Sequence, residues 1–202
     1  MYHFSSQRLE AFSDGVVAIL ITVMVFDLKL PEGTQLAGSF IPFAPLLIKL
    51  GVYALSFLML GIMWVNHHQL LHQIKAANHG LLWYNLHLLF WMSLVPLAAH
   101  LVGNYPQAWA AAGSYGLIFA ACAQSFSLLR RYARKHQLLH ERLSTETLHR
   151  RLQKNRLAIG LYLLAAAVGG WSVYVSYTLY LLLPTLYLIP ESTTHQTTTH
   201  EI

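Results

Sequence analysis

The side chains able to do chemistry gather at the ends of apolar runs rather than within them. Arg8, Ser13 and Asp14 stand at the start of the first run and Asp27 closes it, with Thr22 the only polar side chain between Gly15 and Asp27. A carboxylate in apolar surroundings is costly unless it is paired or wet. Ser13 and Asp14 suit a helix start, where an oxygen caps free amides and negative charge complements the dipole. An interhelical polar lock fits them equally well, and both readings stay open. Arg8 and Asp14 are spaced too widely for the usual i,i+4 pair, so each is expected to reach toward another helix.

A second group closes the next apolar run: Trp64, Asn66, His67 and His68, with His72 one helical turn beyond His68. Two histidines on one helix face offer metal ligands. A membrane di-iron enzyme needs several such clusters plus carboxylates, whereas His79, His87 and His100 are scattered with no acid beside them in the chain. Interfacial hydrogen bonding is therefore the preferred reading, and no metal or cofactor is expected. His67 or His68 is well placed to meet Ser13 or Asp14. Cys122 is the only cysteine, which excludes an internal disulfide and a cysteine-based metal site.

Composition names the medium in which these groups work. Of 202 residues, 55% are hydrophobic and 10% charged, against about 25% charged in soluble domains. Mean hydropathy is +0.45. An ordinary water-soluble enzyme and a disordered chain are excluded. A bilayer core of about 30 Å needs about 20 apolar helical residues. Blocks 12–30, 43–65, 81–102 and 108–129 meet that length. A fifth block, 157–189, has no formal charge and is too long for one crossing, with Gly169, Gly170 and Trp171 at its middle. Two short helices joined there give six spans, and one overlong helix gives five. The expectation is an all-α polytopic membrane protein with helices near 8–30, 43–68, 79–102, 106–130, 155–170 and 172–189. They form a single domain over 1–190, followed by a disordered polar tail at 191–202.

Nine of the 13 Lys and Arg residues lie between Arg130 and Arg156. Six spans with both termini cytoplasmic put these nine, Arg8 and Lys75 inside and leave only Lys29 and Lys49 outside, a strong positive-inside bias. Met1–Glu10 has no cationic leader ahead of a cleavable core, so no signal peptide is expected. The basic segment 130–156 is expected either to extend its flanking helices or to lie on anionic lipid headgroups. Nucleic acid is not an expected partner, because a basic cytoplasmic loop is ordinary in a membrane protein.

Arg8-Leu-Glu-Ala-Phe12-Ser13-Asp14-Gly15 resembles the R-x-x-x-F-S-D motif of the transmembrane protein 175 family, the endolysosomal potassium channels and their prokaryotic relatives. The continuation to Leu30-Pro31, the Trp64…His67-His68 end of the second run and six spans in about 200 residues look like a single-repeat prokaryotic member. The resemblance implies a potassium-permeable cation channel, without the T-V-G-Y-G filter of ordinary potassium channels. It further implies a homotetramer whose first helix lines the pore, with Arg8, Phe12, Ser13, Asp14, Trp64, His67 and His68 as a structural network. Ile19, Val23 and Phe26 share one helix face by spacing, and the family's apolar constriction carries over onto them by their offset from Asp14. Phe26 is bulkier than the aliphatic residue expected there. Thr22 is a candidate for selectivity and Asp27 for the pore mouth. Potassium is then the permeating ion. A proton-coupled or other secondary carrier using Asp14 and the histidines is the alternative, but carriers normally place ionisable groups near the midplane. Here the midplane of the first run is apolar.

Overall fold

A computed structural model describes residues 5–29, 44–140 and 145–188. Eight α-helices follow in order: α1 (Ser6–Val23), α2 (Ala44–His72), α3 (His79–Ser93), α4 (Val95–Asn104), α5 (Trp109–Lys135), α6 (Thr145–Val168), α7 (Val173–Leu182) and the single turn α8 (Thr185–Leu188). A 3-10 turn, Met24–Asp27, extends α1. Among the described residues, four units are long and apolar enough to cross a membrane: Ser6–Asp27, Pro45–His72, His79–Asn104 and Trp109–Lys135. The protein is a multi-pass, all-α membrane protein, with α6 and the shorter apolar α7 completing six helical units.

The third unit is bent, which its continuous apolar character hid. Pro96 has no N–H for the Met92 carbonyl, and its ring crowds that turn. The helix therefore breaks at Leu94, whose amide bonds the Trp91 carbonyl at 3.2 Å, and restarts as α4. The fifth apolar block divides where its glycines are. Trp171 N–H and Ser172 N–H both reach the Val168 carbonyl at 2.9 Å, closing a turn before α7 begins. Pro184 then ends the regular run, so α7 stops at Leu182 rather than continuing to 189.

The core is built from close helix approaches. Small residues of α5, among them Ala112, Gly116 and Ala120, face α6 and α7, as expected where helices pack without a hydrophobic drive. A Cβ at Gly116 would run into the Tyr180 hydroxyl and the Tyr162 carbonyl, so only glycine fits. Tyr180 donates to the Ala112 carbonyl at 2.9 Å, which satisfies a buried hydroxyl. The helix α1 lies on α2, α3 and α4 through one face only: Leu9, Ser13, Val17 and Met24 are buried.

The basic segment extends helices on both sides. The helix α5 runs on to Lys135 and α6 begins at Thr145. Gln137 takes φ 54°, and Leu138 N–H closes onto the Ala133 carbonyl at 2.9 Å. The chain beyond pairs with the α2–α3 turn: Lys75 N–H bonds the Leu138 carbonyl and His140 N–H the Gln73 carbonyl, each at 2.8 Å. This brings Lys75, the arginines of α5 and the histidine end of α2 to one side of the bundle. The polar tail, 191–202, and the stretch around Leu30-Pro31 lie outside the described residues.

Candidate functional site

Ser13 is buried against the Leu9 carbonyl, to which its hydroxyl donates at 2.8 Å. Asn85 of α3 donates its amide to Ser13 Oγ at 2.9 Å, which turns its carbonyl toward His67 Nε2 at 2.7 Å. His67 must therefore carry its proton on Nε2. Its Nδ1 has no hydrogen-bond partner, and a bare lone pair is cheaper to bury there than a second N–H would be. Ser13, Asn85 and His67 together tie α1, α3 and α2 through one chain of hydrogen bonds.

A second, wetter layer lies beside it. Asp14 Oδ1 accepts from Trp64 Nε1 at 2.9 Å, and its Oδ2 lies 3.6 Å from His68 Nδ1. Glu10 Oε1 is 3.1 Å from His68 Nδ1 and 3.7 Å from His72 Nδ1. Both histidines thus meet the first-helix motif, His67 through Asn85 and His68 through the two carboxylates. Asp14 and Ser13 thus bond across to α2 and α3, and no side-chain cap is made at the α1 start.

Two motif residues stand apart from this lock. Arg8 was expected to find a partner on a neighbouring helix; it is exposed and makes no side-chain ion pair or hydrogen bond among the described residues. Phe12 is likewise 52% exposed. The cause is the helical period: Arg8, Phe12, Gly15, Ile19, Thr22, Val23 and Phe26 recur every three or four residues along the face opposite Leu9, Ser13 and Val17. Ile19 is 61% and Phe26 69% exposed, so this apolar face has no partner among the described residues. Thr22 donates back to the Ala18 and Ile19 carbonyls, at 2.9 and 3.1 Å. That bond consumes the hydroxyl proton and leaves oxygen lone pairs on the same open face.

At the other end, Asp27 meets neither Lys29 nor any other Lys or Arg among the described residues. Its Oδ1 lies 2.7 Å from His100 Nδ1 on α4, and Asn104 donates to the His100 backbone carbonyl from one turn on, at 2.9 Å. Gly103 and the stem of Lys49 pack beside this pair.

Sequence reasoning missed Glu10, Asn85 and the pairing of His100. Asn85 carried a readable signal, being an amide within an apolar block, where unpaired polar groups are expensive. Glu10 precedes Asp14 by one helical turn, so the two acids share a face.

A family model described as endosomal/lysosomal potassium channel TMEM175 matches residues 8–96, the stretch holding the lock and the open face. A potassium channel of Chryseobacterium sp. (strain P1-3) is 37% identical over 184 residues, covering 91% of this chain and 93% of its own. The chain belongs to the TMEM175 family. Another member, the crystal structure titled as a lysosomal potassium-selective channel TMEM175 homolog from Chamaesiphon minutus, superposes with TM-score 0.74 at 30% identity, covering 90% of this chain and 95% of that one. The endosomal/lysosomal proton channel TMEM175 of Danio rerio is 29% identical over 130 residues, only 24% of its length. These TMEM175 relatives are ion channels and not enzymes.

Proposed function

We propose that this protein is a potassium-permeable cation channel, assembled as a homotetramer around a pore lined by α1. The observation that carries the reading is the two-faced character of α1. One face is locked to α2 and α3 through Ser13 and Asp14, while Phe12, Gly15, Ile19, Val23 and Phe26 face away from the subunit. A small helical bundle has no room for an aqueous path of its own, so closed rotational symmetry must supply it. Four copies of α1 then place rings of Ile19, Val23 and Phe26 on the axis. Such rings offer no oxygen in place of an ion's hydration shell, so the constriction gates by excluding water. Selectivity follows from the lower cost of dehydrating potassium than sodium and is modest. Thr22 contributes lone pairs next to the Ile19 ring, and Asp27 sets the potential at one mouth.

The basic ends of α5 and α6 sit on the Asp14 side of the bundle, which supports a cytoplasmic N-terminus by the positive-inside rule and contact of segment 130–156 with anionic lipids. The domain spans 1–190 in this reading, with 191–202 as a polar tail. No cofactor takes part; potassium is the permeating ion.

Some relatives are named proton channels, so permeation of protons is the second reading. The stretch between Gly15 and Asp27 holds no ionisable side chain, which leaves only water to relay protons. Single-channel recording of purified protein in lipid bilayers tests both. Unitary potassium currents whose reversal under a potassium/sodium gradient shifts toward the potassium equilibrium potential are expected. Currents that follow only a pH gradient, or substrate-coupled flux without unitary events, would overturn the potassium reading.

A further inference from the structure

Packing α1 on α2 gathers metal-ligating side chains that the chain keeps far apart. Oxygens of Glu10 and Asp14 and a nitrogen of His68 lie within 4.8 Å of one another. We propose that Glu10, Asp14, His68 and His72 form a binding site for a first-row divalent cation of the zinc type, bridging α1 to α2.

The spacing matches that of ligands around one ion. Two ligands each about 2.1 Å from a tetrahedral zinc stand about 3.4 Å apart, and His68 Nδ1 is 3.1 Å from Glu10 Oε1 and 3.6 Å from Asp14 Oδ2. His68 Nδ1 is itself enclosed yet makes no hydrogen bond of acceptable geometry. Two carboxylates held this close repel one another, and a cation between them offsets that cost. His72 follows His68 by one turn, with the two rings nearly parallel at 6.0 Å. Its Nδ1 lies 3.7 Å from Glu10, and at 80% exposure the ring is free to swing in as fourth ligand. Two imidazole nitrogens and two carboxylate oxygens suit zinc and its neighbours better than magnesium or calcium. The support expected around a metal is also present, since Trp64 Nε1 holds Asp14 by Oδ1 and leaves Oδ2 for the ion. Partial exposure of His68 and His72 provides the entry path. The inference concerns the α1–α2 contact within one subunit and stands whichever ion permeates.

The test uses full-length protein in lipid nanodiscs, stripped with chelator, with cobalt(II) as the spectroscopic probe and zinc as competitor. One cobalt per subunit is expected, with the visible bands of a tetrahedral site that zinc abolishes. Glu10→Gln and His68→Gln should each weaken binding at least tenfold, the lower bound for disturbing a metal site. His72→Gln, at an exposed position where folding is not at stake, should weaken it severalfold and shift the bands. The double variant His195→Gln/His200→Gln should bind as wild type. Should the two more buried variants fail to fold, the zinc-induced rise in Tm decides between wild type and His72→Gln, and must shrink in the latter. Equal affinity and bands in wild type and His72→Gln, binding lost only with the tail histidines, or no tetrahedral bands would each overturn the site.

Discussion

Asn85 donates to Ser13 and accepts from His67, so one amide serves two helices at once. Asn85→Ala strands the Ser13 lone pairs and the His67 Nε2 proton in a dry interface. The expected cost is about 1–3 kcal/mol for the stranded groups, nearer the lower figure because membrane interfaces return less than soluble ones. A lowered Tm in detergent, with secondary structure retained in circular dichroism, checks this; an unchanged Tm would mean that water replaces the amide. Asp27 and His100 separate by charge instead. Asp27→Asn removes a negative charge from the proposed pore mouth and should lower conductance most at low ionic strength, where screening is weakest. His100→Gln keeps a donor near the carboxylate and leaves the charge in place, so conductance should hold. If both variants behave alike, the pair is a brace between α1 and α4 and contributes nothing to ion supply. None of these pairings was readable from the residues alone. Histidines at 67, 68, 72 and 100 carry the same intrinsic chemistry, and only packing assigns one to an amide and another to a carboxylate.

Among the helices, α1 is the one whose two faces do different work. Ile19→Asn puts an amide into the proposed constriction, where it should wet the lumen, raise resting current and weaken discrimination of potassium from sodium. Val23→Asn should follow the same trend less strongly if Ile19 forms the narrowest ring. Wild-type current and selectivity in Ile19→Asn would remove α1 from the pore. Thr22→Val keeps the size and deletes the lone pairs. A reversal-potential shift toward sodium is expected, and an unaltered permeability ratio would reduce Thr22 to its bond with the Ala18 carbonyl. The existence of α1, α2 and α5 was legible because long apolar blocks leave few other structures in a membrane. The Gly169–Ser172 turn was legible because the 157–189 block exceeds a bilayer's thickness. The break at Leu94 was not, although Pro96 marks it, since proline kinks many membrane helices without dividing them. The faces of α1 were half legible: period placed Ile19, Val23 and Phe26 together, but nothing in the period says whether the stripe is packed or open.

For the whole molecule as the proposed homotetramer, the division of α1 implies an order of dependence between folding and assembly. The lock engages only groups within one subunit, so a single copy can seat α1 on α2 and α3 before any neighbour arrives. The open stripe carries Phe12, Ile19 and Phe26, large apolar groups that lipid solvates as readily as a second protein does, so apolarity alone does not drive association. Association must come from shape and from polar contacts, and the exposed Arg8 at the foot of that stripe is the group positioned to make one with a neighbouring subunit. Loss of the lock should therefore act on assembly through the tilt of α1, whereas loss of Arg8 should act on assembly directly. Asp14→Ala is expected to lower both Tm and tetramer yield, and Arg8→Ala to lower tetramer yield with the monomer's Tm unchanged. Native mass spectrometry from detergent, run beside a thermal-shift assay on the same preparations, reads both quantities. If Arg8→Ala assembles fully while Asp14→Ala fails, the interface is set by the orientation of α1 alone. If neither variant alters the tetramer, the subunits meet through another surface and α1 faces lipid.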